Sequence, residues 1–575
     1  MERRSFLGAV AAPSVVGSQS KFKNASPTLD GVFIDLARAL PAGDISPEPR
    51  KGHWRAIPWK GRNGGAGEIS GTILWGGEET GPPPLTLDPM LAGPYELYVG
   101  LPAAMATSNA NSIRIKLDND PCYVPLRMDP GIPRPAIQDC PFRVADMTGR
   151  RIQIAAPDLL HTRSAAIAYI RATPVAKSRL DEKRARGMRM VALNDGFSYL
   201  FERGVCTEDR LWEDTLPYRD SPYAALHFCI TGADHCNYPT KAGTLIGDGL
   251  EDYPRAGDRN YTECVREFLR RGIDPVASTM KFARSIGLEY HLSIRMEAFA
   301  DSPPFDYMFR SKFFAAHPEL RCVDLDGRRI ARLSYAFPEV REHIYAIVDE
   351  LAAYVPDGIN LIFPRANPYV LYEEPFVAEF RKRHGTDPRK LAENHPDVTA
   401  LRRDILNGFL REVRRRTRRA AAKPIEISAI VLSDQEANEN SGLDALAWVR
   451  ERLVEEISPS IWNAMHKDVD PQCGYLAQAC RRSGCRLVPN LHPRRYGWPE
   501  YPQKIVQFLR QGAQGFSMWD LNFHFQSPGE RKLMSEIASL KAGMDAPRID
   551  LDPVLVLMTE MDGFVLDRYP AHWAF

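Results

Sequence analysis

Apolar positions along this chain follow two regimes. Up to about residue 176 they alternate with polar ones in short runs, such as YELYVGL (95–101), SIRIKLD (112–118), RRIQIAA (150–156) and AAIAYIRA (165–172), separated by clusters of Gly, Pro and Asp. A period of two with turn residues between the runs, and no helical period, is the pattern of an antiparallel β-sandwich. It predicts one over 29–176. From Met188 onward, apolar runs alternate with amphipathic stretches of helical spacing. The runs are MRMVALN, AALHFCITG, LEYHLSIRM, GINLIFPR, IEISAIVLS, EEISPSIW, CRLVPNL and GFSMWDL. Between them helices are predicted over 261–271 with 275–286, then 338–354, 399–418, 442–453, 471–483 and 502–511.

Eight such strands with intervening helices over 186–543 predict a (β/α)8 barrel, so the fold class is α/β with a β-sandwich in front. A doubly wound open sheet is the alternative. Against it, neither GxGxxG nor a P-loop follows the first run, and strands keep arriving to the end of the region. Residues 544–575 are too few for a domain and are predicted to pack as a strand or two on the barrel or the sandwich.

In parallel α/β folds the carboxyl ends of the strands bind ligands. Reading those ends in order gives Asn194 and Asp195, Asp234 and His235, Arg295 and Glu297, Arg365 with Glu373, Asp434 and Glu436, Trp462 and His466, Asn490 and His492, and Trp519 with Asp520. Aromatic faces that stack on pyranose rings, Asn, His and Arg that bond hydroxyls, and spare carboxylates make the inventory of a sugar site. Neither HxH, HExxH nor GxSxG occurs there, so no cofactor and no metal are expected. In HLSIRMEAF, Arg295 and Glu297 would share one face of a strand, and the arginine would favour the ionised carboxylate or form a buried salt bridge with it. Glu297 and Glu373 are the expected catalytic pair, with Asp520 and Asp434 in reserve. Arg295, Arg365, Asp234, His235, Asn490, His492 and Trp519 are expected to bind substrate. In LSDQEANEN, Asp434 either lines the cleft or is solvated.

Composition narrows the partners. Lys plus Arg at 74 nearly cancels Asp plus Glu at 73, which gives no reason to expect a nucleic-acid partner. No stretch reaches the ~20 apolar residues of a membrane span. Arg3 and Arg4 followed by Phe-Leu and small apolar residues look like a twin-arginine export signal over 1–28, and imply a periplasmic or secreted protein. The chain has 10 cysteines, without CxxC or a Cys/His zinc pattern, and they read as core residues. In the sandwich, Trp54, Trp59 and Trp75 either present aromatic faces to sugar, as in a carbohydrate-binding module, or are core.

The segment LSYAFPEVREHIYAIVDELAAYVPDGINLIFPR, then EEPFVAEFRKRHGTDPRKL and FLREVRRR, with HPEL (317–320) and GLDALAWV (442–449), resembles the bacterial glycosyl-hydrolase-like family 10 group. The likeness covers Met188 to His524. It implies a barrel acting on carbohydrate. Members of that group commonly end the fourth strand as DGIHLDYIRYP, with an aspartate resembling the nucleophile of related glycosidases; aligning Asp357-Gly358 and Arg365 places Ile362 there. An alkyl group can neither attack an anomeric carbon nor take a proton. The expected function is therefore an exported glycoside hydrolase whose two carboxylates lie elsewhere, acting on an oligo- or polysaccharide. The alternatives are a barrel that binds carbohydrate without turnover and a polysaccharide lyase.

Overall fold

The computed structural model describes residues 29–566, apart from 41–42, 64–66, 104–110, 133–134, 161–163, 182–186, 297–302, 365–366, 422, 462–471, 494–495 and 520–524. The N-terminal runs form two antiparallel sheets. The smaller, four-stranded one runs in the order Leu85–Leu87, Ile152–Ala155, Ser112–Leu117, Val124–Arg127. The larger, ten-stranded one has at its centre Pro94–Pro102, Ala136–Asp146, Leu555–Met561, Trp54–Asn63 and Gly67–Gly76, in that order. Inward residues of both sheets, among them Leu85, Ile113, Ile152, Leu97, Val99 and Ile170, make one core. The 544–575 stretch thus places a strand inside the first domain's sheet, between two strands from the other end of the chain, with Lys60 and Glu560 paired at 3.0 Å across it.

Trp54 and Trp59 are core residues at 0% and 3% exposure, and Trp75 packs half-buried on the second apolar face of the large sheet. The sandwich seats itself on the barrel through Cys122, Leu216 and Phe282, through Arg114 bound to Glu213 at 2.6 Å, and through the Gly529 amide donating to Asp129 at 2.8 Å.

All eight apolar runs of the second region are parallel strands of one sheet: Arg189–Asn194, Ala225–Gly232, Glu289–Arg295, Gly358–Ile362, Glu426–Leu432, Glu456–Ser460, Arg486–Leu487 continued by Asn490–Leu491, and Gly515–Met518. The seventh closes the barrel. Its first half pairs with the sixth strand and its second half with the eighth, which in turn pairs with the first. Pro489 lies at the changeover, where its carbonyl accepts from the Ser517 amide. Helices Ala256–Arg270, Pro275–Ser285, Pro338–Ala353, Pro396–Ala420, Ala445–Arg450, Gly474–Ser483 and Tyr501–Arg510 cover the outside. Their buried faces and the outward strand residues build the main core, each large aliphatic side chain contributing roughly 1.5–3 kcal/mol by burial. Among the described residues no helix is long and apolar enough to cross a membrane.

Candidate functional site

Every second residue of a barrel strand points to the axis. Contacts between non-adjacent strands identify those residues. At the amino-terminal end, Arg189 on strand 1 donates to Glu456 on strand 6 at 2.6 Å and to Glu289 on strand 3 at 2.7 Å. Arg486 donates to Glu456 at 3.1 Å and also binds Glu426. Beside them the rings of His227 and His291 stack at 4.4 Å, with His227 Nε2 3.7 Å from Glu456. Gly358 is required here, because any Cβ would enter the His291 ring. Burial alone would raise the Glu456 pKa, but Arg189, His227 and Arg486 hold it down at about 2. Both imidazoles lie below their ordinary range because burial penalises the cation.

Above this plug lies a belt of hydroxyls and amides. Asn360 donates to Ser293 at 3.1 Å and accepts from Ser428 at 3.1 Å, while Asn490 donates to Ser517 at 2.9 Å. At the carboxyl-terminal end the interior turns apolar. Leu193, Cys229, Ile362, Ile430 and Trp519, from strands 1, 2, 4 and 5 and the end of strand 8, form one cluster across the axis. The Arg295 guanidinium, from the end of strand 3, lies 6.0 Å from the centre of the Trp519 ring, at the limit of a cation–π contact. This floor of one indole, one guanidinium and four apolar side chains is the candidate site. Trp519 is 1% exposed and Arg295 half-buried.

Of the residues expected to bind substrate, Arg295 and Trp519 therefore meet. Asn490 is 1% exposed and belongs to the belt beneath the floor, and His492 lies half-buried just past strand 7. Asp234 and His235, 1% and 2% exposed, sit in the hairpin turn after strand 2 and at the start of its short antiparallel return strand His235–Cys236. There Asp234 accepts from Ser311 at 2.6 Å and bonds His343 Nε2 at 3.0 Å, tying that turn to two outer helices. Burial acts to raise the Asp234 pKa but is outweighed by His343, His235 and Ser311, and burial lowers that of His235. Arg365 lies outside the described residues.

The expected carboxylates separate as sharply. Glu373, 1% exposed, accepts from the amides of Val323 at 2.9 Å and Leu371 at 3.0 Å, so it organises the turn before helix Glu374–His384 and the adjoining hairpin. Burial outweighs those hydrogen bonds and raises its pKa. Asp434 is exposed and caps helix Gln435–Asn440 through the Ala437 amide at 2.7 Å. Glu297 and Asp520 lie outside the described residues, as do Trp462 and His466. The described part of strand 3 ends at Arg295 with Met296 in a turn, short of Glu297.

The strand-end reading passed over two features. The His227/His291 plug sits in the lower half of strands, where AALHFCITG and LEYHLSIRM carry polar residues at every second place, a signal for inward-facing polarity. Asp214 follows a short outer helix, which gives no sequence signal. It is bonded by Asn194 and pushed to about 6 by burial. With Asn237 and Tyr261 it lines a cavity of about 30 Å³ between the barrel wall and the outer helices, room for a water or two rather than a sugar. Among the described residues no group of His, Cys, Asp or Glu could hold a metal ion. Two cysteines correct the core reading: Cys206 and Cys264 form a disulfide joining the loop after strand 1 to helix Ala256–Arg270, while the other eight are buried thiols.

No family model and no curated protein matches the chain. Among solved structures, an alpha-galactosidase from Thermus thermophilus in complex with p-nitrophenyl alpha-D-galactopyranoside is similar over 85% of this chain and 95% of its own, at 13% identity and a TM-score of 0.29.

Proposed function

We propose that this protein is a glycoside hydrolase that holds an oligo- or polysaccharide across the carboxyl-terminal mouth of its barrel. The observation that carries the reading is the floor itself, where the buried Trp519 indole and the half-buried Arg295 guanidinium, 6.0 Å from its ring centre, close the carboxyl-terminal end of the barrel. Glu297 and Asp520 are the acid and the nucleophile or base. In the sequence they follow Arg295 by two residues and Trp519 by one. Glu373 and Asp434 are committed to backbone amides. Export through the twin-arginine segment belongs to the same proposal, and the Cys206–Cys264 disulfide supports an oxidising compartment.

A panel of aryl glycosides and oligosaccharides tests the assignment. On a substrate that is turned over, Glu297→Gln and Asp520→Asn are each expected to lower kcat about 10²- to 10⁴-fold. Glu373→Gln is expected to leave kcat near wild type in whatever fraction folds. Wild-type turnover in both Glu297→Gln and Asp520→Asn rejects the pair. A second reading, a barrel that binds carbohydrate without hydrolysing it, is favoured by Ile362 lying inside the apolar floor at 0% exposure. Calorimetric binding of a glycan that the protein never cleaves would establish it.

A further inference from the structure

We infer that the small cavity behind the barrel wall, lined by Asp214, Asn237 and Tyr261, is a binding site for a monovalent cation of the sodium and potassium class. It is separate from the floor and takes no part in the reaction proposed above. Asp214 follows helix Glu208–Glu213, Asn237 follows the return strand His235–Cys236, Tyr261 belongs to helix Ala256–Arg270 and Thr279 to helix Pro275–Ser285. All four line the cavity, together with the outward Phe228 of strand 2.

These polar groups offer mostly lone pairs. The Asn237 side-chain nitrogen donates to the carbonyls of Gly196 at 3.2 Å and Cys229 at 3.1 Å, which fixes how the amide is turned and leaves its buried Oδ1 without a partner. The Thr279 hydroxyl donates its proton to the Pro275 carbonyl at 2.8 Å, so towards the cavity it can only accept. Asp214 is bonded through one oxygen by the Asn194 side-chain nitrogen. Among the described residues no cationic side chain forms an ion pair with it; Arg203 acts on it through space and is itself paired with Asp158 at 3.7 Å, while Asp195 adds a like charge. The Tyr261 hydroxyl, fully buried and also without a partner, is the donor of the set.

A water has two protons for three acceptors and brings no charge to a carboxylate enclosed by apolar side chains. A cation meets all the acceptors at once. With a single carboxylate and neither His nor Cys, the set suits a singly charged hard ion, since transition metals favour nitrogen and sulfur, and calcium takes about six to eight oxygens. A water needs about 10–15 Å³, so the cavity of about 30 Å³ has room for the ion and one water. Asp214 and Gly196 are half-buried, which leaves a small ion a way in. Asn194 carries the effect to the barrel: its Oδ1 accepts from the Gly196 amide at 2.8 Å, so the ion would fasten the end of strand 1 to helix Ala256–Arg270.

The test uses the full-length protein, exchanged into choline chloride, whose cation is too large for the cavity. Its denaturation midpoint is followed as sodium or potassium chloride replaces choline chloride at constant ionic strength. The midpoint is expected to rise and saturate with at least one of the two ions, as binding to the folded state alone requires. Tyr261→Phe removes only the hydroxyl and keeps the ring packed on Phe197, at 4.5 Å between centres; it is expected to fold and to need roughly tenfold more of that ion for the same rise. Asp214→Asn is expected to lose the ion-specific rise, with its Cys206–Cys264 linkage reporting that the variant has folded. Equal midpoints in choline, sodium and potassium would mean that water alone fills the cavity, and overturn the proposal. An ion-specific rise that either folded variant shows unchanged overturns it equally, because the ion then binds elsewhere.

Discussion

The two ends of the barrel interior differ in chemistry. At the amino-terminal end Arg189, Arg486, Glu289, Glu426 and Glu456 interlock beside a stacked histidine pair; at the carboxyl-terminal end Leu193, Cys229, Ile362 and Ile430 surround one indole, with one guanidinium over it. Among the described residues, most of the inward-facing charge therefore lies at the end that a barrel keeps for stability. Removing one partner of a buried ion network costs about 3–5 kcal/mol, because the other charges stay buried. Arg189→Met is accordingly expected to lower stability by that amount in chemical denaturation, whereas Ile430→Val in the floor is expected to cost about 0.5–1.5 kcal/mol. Equal losses would remove the contrast.

Acidification probes the same end more gently. His227 and His291 face Glu456, Arg189 and Arg486, and burial, the leading cause for both, keeps their folded pKa values below the ordinary 6.5. As pH falls through about 6.5 the unfolded chain binds protons that the folded chain refuses, so stability must fall with it. Glu456 adds a second loss as pH drops from its ordinary 4.5 towards about 2, where its folded carboxylate is finally protonated. Denaturation midpoints should therefore decrease between about pH 7 and 5, and His227→Phe should flatten that first decline. A profile already flat in the wild type would show that the imidazoles are solvated rather than sealed in.

The barrel was legible because its strands are buried on both faces, so that runs such as IEISAIVLS stand out against the amphipathic helices whatever faces the axis. The interior was less so. In GINLI both the outward Ile359 and Leu361 and the inward Ile362 are apolar, and only the closed geometry shows that Asn360 bridges Ser293 and Ser428 while Ile362 joins the floor. Nor could local pattern place Leu555–Met561 beside Trp54–Asn63, since that pairing spans almost the whole chain. Carboxylates were the hardest to read, because their roles depend on which amides point at them. Glu373 has the amide of Leu371, two residues before it, and that of Val323, brought by a hairpin that precedes it by tens of residues.

Asp434 gives the smallest effect and the sharpest separation of the two readings of a strand-end carboxylate. It lies past strand 5, next in sequence to Ser433, yet it is exposed and its oxygen accepts from the Ala437 amide, as a helix cap does. Losing an Asp cap costs about 0.5–2 kcal/mol, through an unpaired amide in the first turn of helix Gln435–Asn440. Asp434→Ala should therefore shift the denaturation midpoint slightly, and Asp434→Asn, which can still accept that hydrogen bond, should restore most of the loss. Neither should change glycan affinity or turnover. Stability rescued by Asn while turnover stays low would instead put the Asp434 charge in the reaction, and would move the chemistry from the Arg295–Trp519 side of the mouth to the loop after strand 5.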